Sequence, residues 1–364
     1  MNTVTYNPKV QVLRAFAIVA VVFIHTCPDG MFQVCFRPFV NFGVGLFLFL
    51  SGWLTRPQET WLPFFRKRIV RVLVPYIIWT VIYALQKGAL DKISCNLLTA
   101  KANAAFYYIF VYVQFVLLTP LLFRLAQSRL CWAGWLVAPL SVVLFRYVPY
   151  ALGLPIPSLV NDFWSICCMG WLCFYYLGLL MGNGLLYCPG GRSHKSSSRV
   201  SDGSFPEGKM FFGMLVLLAV SLCAQIMEGY LWLRLGWPNC GSQLKLTSLL
   251  TTLAVLLLAN KWLTVAGSVD CSSVKSAAWA VRESFRGRVC RLLICVGDRS
   301  FGIYLIHILV MRMLTDFPFY RNLPFGVNTI LVFLVSFLCV SIGVSILGHC
   351  GSSGRYIARW LGLS

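Results

Sequence analysis

The chain has 364 residues, of which 59% are apolar and only 11 are acidic. A water-soluble domain of this length has too little interior to hide so many apolar side chains, so the composition excludes one. The formal charge of +20 is typical of nucleic-acid-binding proteins, but its distribution along the chain favours another explanation.

Apolar runs recur along the whole chain, and each is close to the roughly 20 residues that a helix needs to cross the hydrocarbon core of a bilayer. We predict ten such runs, at about 10–26, 38–55, 69–86, 105–123, 131–148, 164–186, 210–233, 246–263, 292–314 and 326–348. Arg14 within the first run, and the lack of a small-residue cleavage site after it, favour an uncleaved helix over a signal peptide. The sequence therefore predicts an all-α, polytopic membrane protein with about ten transmembrane helices.

The basic residues are distributed unevenly between the two sides of this predicted arrangement. Most of the 31 lysines and arginines fall in loops and helix ends on the side that holds the N-terminus. Because basic residues gather on the cytoplasmic side, both termini are predicted to be cytoplasmic. Attraction to anionic lipids accounts for the remaining charge, so membrane lipids are expected partners and nucleic acid is not.

Two polar stretches interrupt the apolar rhythm. The Gly/Ser-rich stretch at about 188–209 predicts a flexible inner loop. The stretch at about 264–291 mixes aromatic residues with arginines and predicts a basic amphipathic helix on the inner membrane surface. We find no internal repeat and no appended soluble domain, so residues 1–364 are predicted to form a single integral-membrane domain.

The 15 cysteines do not follow the spacing of a zinc site, because no CxxC pair is matched by a second Cys or His pair. The sequence predicts no metal site and no permanently bound cofactor. A disulfide among the outward Cys27, Cys35, Cys95 and Cys240 stays open at this stage.

The first run, VQVLRAFAIVAVVFIHT, carries two ionisable residues, Arg14 and His25. In a helix they share one face and lie about 16 Å apart along the axis. One interpretation makes Arg14 an anchor to lipid phosphates and His25 an interfacial residue. The other makes both residues part of a site, because ionisable groups are expensive within a membrane and often functional there.

The third run opens with a basic segment, FFRKRIVRVLVPYIIW, in which Arg68 and Arg71 are three residues apart and point the same way. Lipid anchoring explains a basic helix entrance. A pair of guanidinium groups that binds a phosphate-rich ligand bidentately explains it equally well. Arg71 is predicted to lie about a turn inside the span, which is deeper than an anchor requires.

The ninth run contains GDRSFGIYLIH, which places Ser300, Tyr304 and His307 on one polar stripe of an apolar helix. His307 is predicted near mid-membrane, where an unpaired polar group is disfavoured. It must therefore face the protein interior, either as a structural histidine bonded to a neighbouring helix or as part of a site.

Six segments, in this order, resemble the signatures of the acyltransferase family 3 membrane proteins: LRAFAIVAVVFIH, FGVGLFLFLSGWLT, FFRKRIVRVLVPYIIW, YYIFVYVQFVLLTPLL, FYYLGLLMG and SFGIYLIH. The resemblance covers essentially the whole chain. It implies a ten-helix bacterial enzyme of the cytoplasmic membrane that transfers acyl groups to hydroxyls of cell-surface glycans. The acyl group is acetyl by default, with succinyl as an alternative.

The resemblance also assigns roles to individual residues. It implies that Arg14, Arg68 and Arg71 bind a cytoplasmic acyl-CoA, with acetyl-CoA as the expected donor. It implies that His25 is the catalytic residue, assisted by Arg14, either as a general base or as a carrier of the acyl group, and that Ser300, Tyr304 and His307 support the site. The acceptor is expected to be a glycan or a lipid-linked sugar.

Two features leave alternatives open. Many family members have a histidine at the start of the fourth span where this chain has Ala105, so we assign no acceptor-side role to that helix. A transporter or flippase for a glycan or lipid-linked sugar would also place polar residues along an interior path. Glu228 is predicted to have a structural role, paired with an arginine or histidine or placed at a helix end. Asp162 is predicted to cap a helix, with a contribution to acceptor-sugar binding as the alternative.

Overall fold

The computed structural model describes residues 6–185, 207–265 and 285–363. These residues form helices and connecting turns without a β-strand. The α-helices, in chain order, are α1 (Pro8–Thr26), α2 (Met31–Phe36), α3 (Phe42–Trp53), α4 (Trp61–Lys87), α5 (Ile93–Thr99), α6 (Tyr107–Gln127), α7 (Ala133–Val142), α8 (Val148–Ala151), α9 (Ser158–Ile166), α10 (Leu172–Gly182), α11 (Glu207–Arg234), α12 (Leu246–Val265), α13 (Phe285–Asp298), α14 (Ser300–Thr315), α15 (Pro318–Arg321), α16 (Phe325–His349) and α17 (Gly351–Trp360).

The predicted membrane architecture is confirmed. Within the described residues, nine helical stretches are long and apolar enough to cross a membrane, and one bent helix pair would make a tenth crossing. The stretches are Pro8–Thr26, Met31–Trp53, Trp61–Lys87, Tyr107–Gln127, Ala133–Ala151, Ser158–Gly182, Phe211–Arg234, Leu246–Thr264 and Phe325–His349, and the pair is Gly287–Asp298 with Ser300–Thr315. Each of the ten predicted runs overlaps one of these.

The ninth predicted run, 292–314, is not one straight helix. It breaks at Arg299, where α13 and α14 meet at an angle of 75°. Gly297, just before the break, packs so closely on α1 that an added Cβ would overlap the Gln11 carbonyl oxygen. Asp298 accepts hydrogen bonds from the Tyr6 hydroxyl at 3.0 and 3.2 Å. These contacts hold the polar segment at the break in place. A hydropathy profile does not reveal the break, because it averages this short segment with its apolar neighbours.

Two smaller predictions also need correction. Helix α9 begins at Ser158, earlier than the predicted start of the sixth run at 164, and a turn of 3₁₀-helix separates it from α10. Asp162 lies within α9 and does not cap it. Its Oδ2 instead forms an ion pair with Nζ of Lys101 at 2.7 Å.

Other predictions fall largely outside the described residues. Of the stretch 188–209, the structure describes only the part from Glu207 onward, which begins α11. Of the stretch 264–291, it describes the end of α12 and the beginning of α13 at Phe285. Cys27, Cys35, Cys95 and Cys240 all have free thiols.

Helices α3 and α10 pack with their backbones in direct contact. A Cβ at Gly178 would overlap the Phe49 carbonyl oxygen, and one at Gly182 would overlap the Trp53 carbonyl oxygen. From the opposite helix, a Cβ at Gly52 would overlap the Tyr175 carbonyl oxygen. Small residues permit this approach in membranes, where close packing replaces the hydrophobic effect as the force between helices.

The long helices give the bundle two distinct ends. Helix α1 runs from Arg14 toward His25, and α4 runs in the same direction from Arg68 to Lys87. We call the end that holds the arginines the basic end and the opposite end the histidine end. By the predicted orientation, the basic end is cytoplasmic.

Candidate active site

The three arginines singled out in the sequence come together at the basic end. Arg14 interacts electrostatically with Arg71 and with the phenol groups of Tyr108 and Tyr112. Arg68 hydrogen-bonds to Tyr112, and its guanidinium lies 5.1 Å from the centre of a phenyl ring in its own helix. Tyr112 therefore interacts with both the Arg14 guanidinium from α1 and the Arg68 guanidinium from α4.

The exposure of these arginines differs. Arg14 and Arg68 are partly buried, whereas Arg71 is exposed. Helix α4 begins at Trp61, eight residues before the predicted third run, so Arg71 lies well within the helix as expected. The Arg71 side chain is exposed, however, so the structure does not support the prediction that Arg71 lies deeper in the span than a lipid anchor requires.

Acidic groups provide little compensation at this end. Among the described residues, Asp298 is the only acid that interacts electrostatically with Arg14, and it already accepts a hydrogen bond from the Tyr6 hydroxyl. Burial, followed by the hydrogen bond to Asp298, raises the pKa of Tyr6 to about 12. Tyr6 therefore stays protonated near neutral pH and remains a donor to Asp298. The basic end keeps a net positive charge, which suits an anionic ligand.

At the other end, the structure brings His25 and His307 together. Their ring centroids are 5.3 Å apart, and the rings are inclined at 50°. His307 is fully buried, at 0% exposure, whereas His25 is partly exposed. One imidazole is thus accessible to a substrate while the other is enclosed behind it.

The hydrogen bonds of His307 determine its tautomer. Nδ1 lies 2.8 Å from the Tyr304 carbonyl oxygen and 3.1 Å from that of Ile303. Carbonyl oxygens only accept, so Nδ1 carries the proton and Nε2 presents a lone pair. Nε2 is buried and has no hydrogen-bond partner within the described structure. An N–H of the neighbouring imidazole is a suitable donor to that lone pair.

The remaining members of the predicted stripe lie on the same face of α14. The Tyr304 hydroxyl donates to the Ala105 carbonyl oxygen at 2.5 Å. The Ser300 side chain is buried, and its hydroxyl has no partner within the described structure. The stripe therefore faces the protein interior, as the sequence predicted, and it contacts the beginning of α6 at Ala105.

A continuous column of aromatic rings joins the two ends. Successive ring centroids are 6.3 Å apart from Tyr112 to Tyr108 and 5.7 Å apart from Tyr108 to Tyr304. They are 6.3 Å apart from Tyr304 to His307 and 5.3 Å apart from His307 to His25. This ring column leads from Tyr112, the Arg68 partner at the basic end, to the partly exposed His25 ring.

Sequence reasoning missed three residues of this arrangement. Tyr108 and Tyr112 sit at i and i+4 in YYIFVYV, a spacing that places both on one helix face, but aromatic residues are common in apolar cores. Nothing in the sequence distinguished Arg37 from the other basic residues near helix ends. Arg37 interacts electrostatically with His25, and its buried Nε has no partner within the described structure.

Glu228 has a different partner from those predicted. Its carboxylate accepts hydrogen bonds from the hydroxyl and the backbone N–H of Thr247, and it interacts electrostatically with Lys245. The Lys245 ammonium donates to the Cys240 carbonyl oxygen at 2.7 Å and lies 5.9 Å from the centre of the Trp232 ring. Burial lowers the pKa of Lys245 to about 8, although Glu228 opposes that shift. These contacts tie α11 to the start of α12, consistent with a structural role.

Comparison with known proteins gives a clear family assignment. A family model described as an acyltransferase domain, Acyl_transf_3, matches residues 7–350. No curated protein and no solved structure matches the chain. Within the described residues, no three His, Cys, Asp or Glu side chains are grouped to hold a metal ion. The matched range covers nearly the entire chain, including the arginine cluster, the ring column and the histidine pair, so the chain belongs to the acyltransferase 3 family of multi-pass membrane proteins.

Proposed function

We propose that this protein is a membrane-embedded O-acyltransferase of the bacterial cytoplasmic membrane. It moves an acyl group, acetyl by default, from cytoplasmic acyl-CoA to a hydroxyl of a cell-surface or lipid-linked glycan. Membership of an acyltransferase family supports the reaction class. The ring column from the Arg68 partner to His25 carries the rest of the proposal, because it connects an anion-binding end with a histidine at the opposite end.

The basic end suits the donor. Acyl-CoA carries several phosphate groups, and arginine binds phosphate through two parallel N–H···O contacts. Arg14, Arg68 and Arg71 converge there, and in the part of the chain that the structure describes a single acid lies in range of Arg14. The narrow arm of the donor then extends along the ring column, which brings its thioester to the imidazole pair.

His25 has the accessibility that a general base needs. Its ring nitrogen accepts the proton of the acceptor hydroxyl while that oxygen attacks the thioester carbonyl. The carbon–sulfur bond then breaks, and the thiolate of CoA takes the proton back from the imidazolium. Histidine suits both steps because its ordinary pKa lies near working pH. Transfer of the acyl group first to the imidazole, then to the hydroxyl, uses the same contacts.

His307 acts in this scheme as a positioning residue. Its Nε2 has no hydrogen-bond partner among the described residues and lies beside the His25 ring. During the reaction it accepts an N–H from His25, which leaves the other nitrogen of His25 free as the base. Histidine catalysts are commonly oriented in this way by a second group. The Ser300 and Tyr304 hydroxyls lie on the same face and support the donor or the developing oxyanion.

One comparison tests the function directly. Mass spectra of surface glycans from cells with and without the protein should differ by one acyl unit, and purified protein should move label from [¹⁴C]acetyl-CoA to those glycans. Labelled acyl groups found on the protein after an acid quench would identify the two-step route. Proteoliposomes that move a glycan without consuming acyl-CoA would instead favour the transporter or flippase alternative.

A further inference from the structure

A cleft opens at the histidine end, beside the beginning of α6. Its volume is about 360 Å³, and its polar lining comes from Lys101, Asn103, Tyr107, Ser165 and Arg312. A cleft of this size accommodates one or two sugar rings. It lies at the opposite end of the bundle from the arginine cluster, so it is separate from the proposed donor site.

Cations dominate this cleft. Arg312 lies 5.7 Å from the centre of the Tyr83 ring, which supports the guanidinium from one side. Lys87, at the end of α4, interacts electrostatically with Arg312, and its ammonium donates to the Ala102 carbonyl oxygen at 2.9 Å. Lys101 forms an ion pair with Asp162, and that ion pair is the only one between described side chains.

Two donor atoms at the cleft have no well-aligned hydrogen bond to any described residue. They are Nη1 of Arg312 and Nδ2 of Asn103, although the Asn103 side chain is also within reach of the Tyr83 hydroxyl. Both are donors, and a buried donor without an acceptor is unfavourable. Oδ1 of Asn103 already accepts from the Ala105 N–H at 2.9 Å, which fixes its amide. The unpaired donors and nearby charges together indicate that an anionic acceptor atom binds here.

The cleft also connects to the histidine pair. Tyr107 lines it and interacts electrostatically with Arg37, the same residue that acts on His25. Asn103 is two residues from Ala105, whose carbonyl oxygen accepts the Tyr304 hydroxyl. A ligand in the cleft therefore lies beside the residues that surround the imidazoles.

We propose that this cleft binds the acceptor through an oxyanion, a phosphate or a carboxylate, carried close to the hydroxyl that receives the acyl group. The proposal rests on the proposed function and adds to it the class of acceptor: an anionic sugar. Arg312 holds the oxyanion, Asn103 donates a hydrogen bond, and Lys101 exchanges its Asp162 contact for the ligand.

Melting curves of the purified full-length protein, without acyl-CoA, test this binding directly. The probes are glucose 1-phosphate, methyl glucuronide, methyl glucoside and inorganic phosphate. A sugar carrying the right oxyanion should raise the melting temperature by about 2 °C or more, because a ligand that binds only the folded state stabilises it. A shift with the phosphate sugar alone identifies phosphate as the source, and a shift with the glucuronide alone identifies carboxylate.

Variants assign the shift to the cleft. Arg312→Gln should abolish the shift in melting temperature. Lys101→Gln, at an exposed position that tolerates substitution, should weaken the shift, and it provides the test if Arg312→Gln fails to fold. Arg234→Gln is the matched control, because Arg234 is an exposed arginine at the end of α11 and outside the cleft. Arg68→Gln tests whether a probe binds at the basic end instead, and it should leave the shift intact.

Several outcomes would overturn the proposal. Neutral sugars could raise the melting temperature as much as anionic sugars do, or inorganic phosphate could raise it as much as the sugar phosphate does. No probe could shift it at all, or the shift could survive Arg312→Gln. The proposed function fails separately. If anionic sugars bind in an Arg312-dependent manner but the protein transfers no acyl group, the proposed binding site stands and the proposed enzymatic function fails.

Discussion

The two ends of the bundle use charge in opposite ways. At the basic end, Arg14, Arg68 and Arg71 gather permanent charges around phenol groups, and Arg71 is exposed. At the histidine end, His25 and His307 form a pair whose inner member is fully buried, with one lone pair unsatisfied. The first arrangement suits a ligand whose charge never changes. The second suits a proton that must move, so the difference separates binding from chemistry.

The largest expected effect comes from removing the base at the histidine end. His25→Ala should lower the rate of acyl transfer by about 10²- to 10⁴-fold, the usual contribution of a general base. Acyl-CoA binding should stay within a factor of two to three, since the donor phosphates lie at the other end. Transfer of [¹⁴C]acetyl and equilibrium binding of acyl-CoA measure the two quantities.

His349→Ala is the matched control for that variant. His349 is an exposed histidine at the end of α16 and belongs to neither site. Wild-type transfer by His25→Ala would remove the proposed base. A parallel loss of acyl-CoA affinity would show that the two ends do not act separately.

Removal of charge at the basic end should have the next largest effect. The double variant Arg68→Gln, Arg71→Gln loses contacts of the charge-assisted kind, each contributing about 1.5–3 kcal/mol. Since 1.4 kcal/mol corresponds to a factor of ten, we expect KM for acyl-CoA to rise at least ~100-fold with little change in kcat. The double variant Arg66→Gln, Lys67→Gln removes the same charge from exposed positions of the same helix. Equal effects of the two double variants would mean that Arg68 and Arg71 attract acyl-CoA only through their charge and do not form a specific binding site.

The separation between the ends depends on the helices that hold them apart. Gly178→Ala places a methyl group against the Phe49 carbonyl oxygen and should lower the free energy of unfolding by about 1–3 kcal/mol. Gly213→Ala, at a helical site with open space around it, should raise it slightly, because alanine favours helix by about 1 kcal/mol. Denaturation in detergent compares them. Equal stability of the two variants would contradict the close contact.

The smallest effect concerns the residue where the ring column meets the arginines. Tyr112→Phe keeps the ring and removes the hydroxyl that bonds Arg68, so it should raise KM for acyl-CoA about fivefold, or ~1 kcal/mol. Tyr230→Phe, at a tyrosine 42% exposed on α11, serves as its control. An unchanged KM after Tyr112→Phe would mean that Arg68 is oriented without this phenol.

Much of the arrangement follows from periodicity in the sequence. Apolar run lengths predicted the spans, and a helical repeat predicted that the Ser300, Tyr304 and His307 stripe faces inward. The break at Arg299 was missed because a window of about 20 residues averages over the three polar positions Asp298, Arg299 and Ser300. Packing against Gln11, which lies in a distant part of the sequence, fixes that break.

The partners of the site were harder to predict than its members. Arg37 looked like one of the basic residues that only set the orientation in the membrane. A single sequence does not show that its charge lies near an imidazole. Tyr108 and Tyr112 resembled core aromatics, because their hydroxyl groups become informative only when Arg14 and Arg68 lie next to them. Contacts between helices decide these roles, and helix spacing alone does not contain them.

The contact between α3 and α10 has a consequence for the movement of substrates. With no side chain between Gly178 and the Phe49 carbonyl, the two helices form a seam too tight to admit even a methylene chain. A substrate therefore cannot pass between α3 and α10, and any route through the bundle must run between other helices.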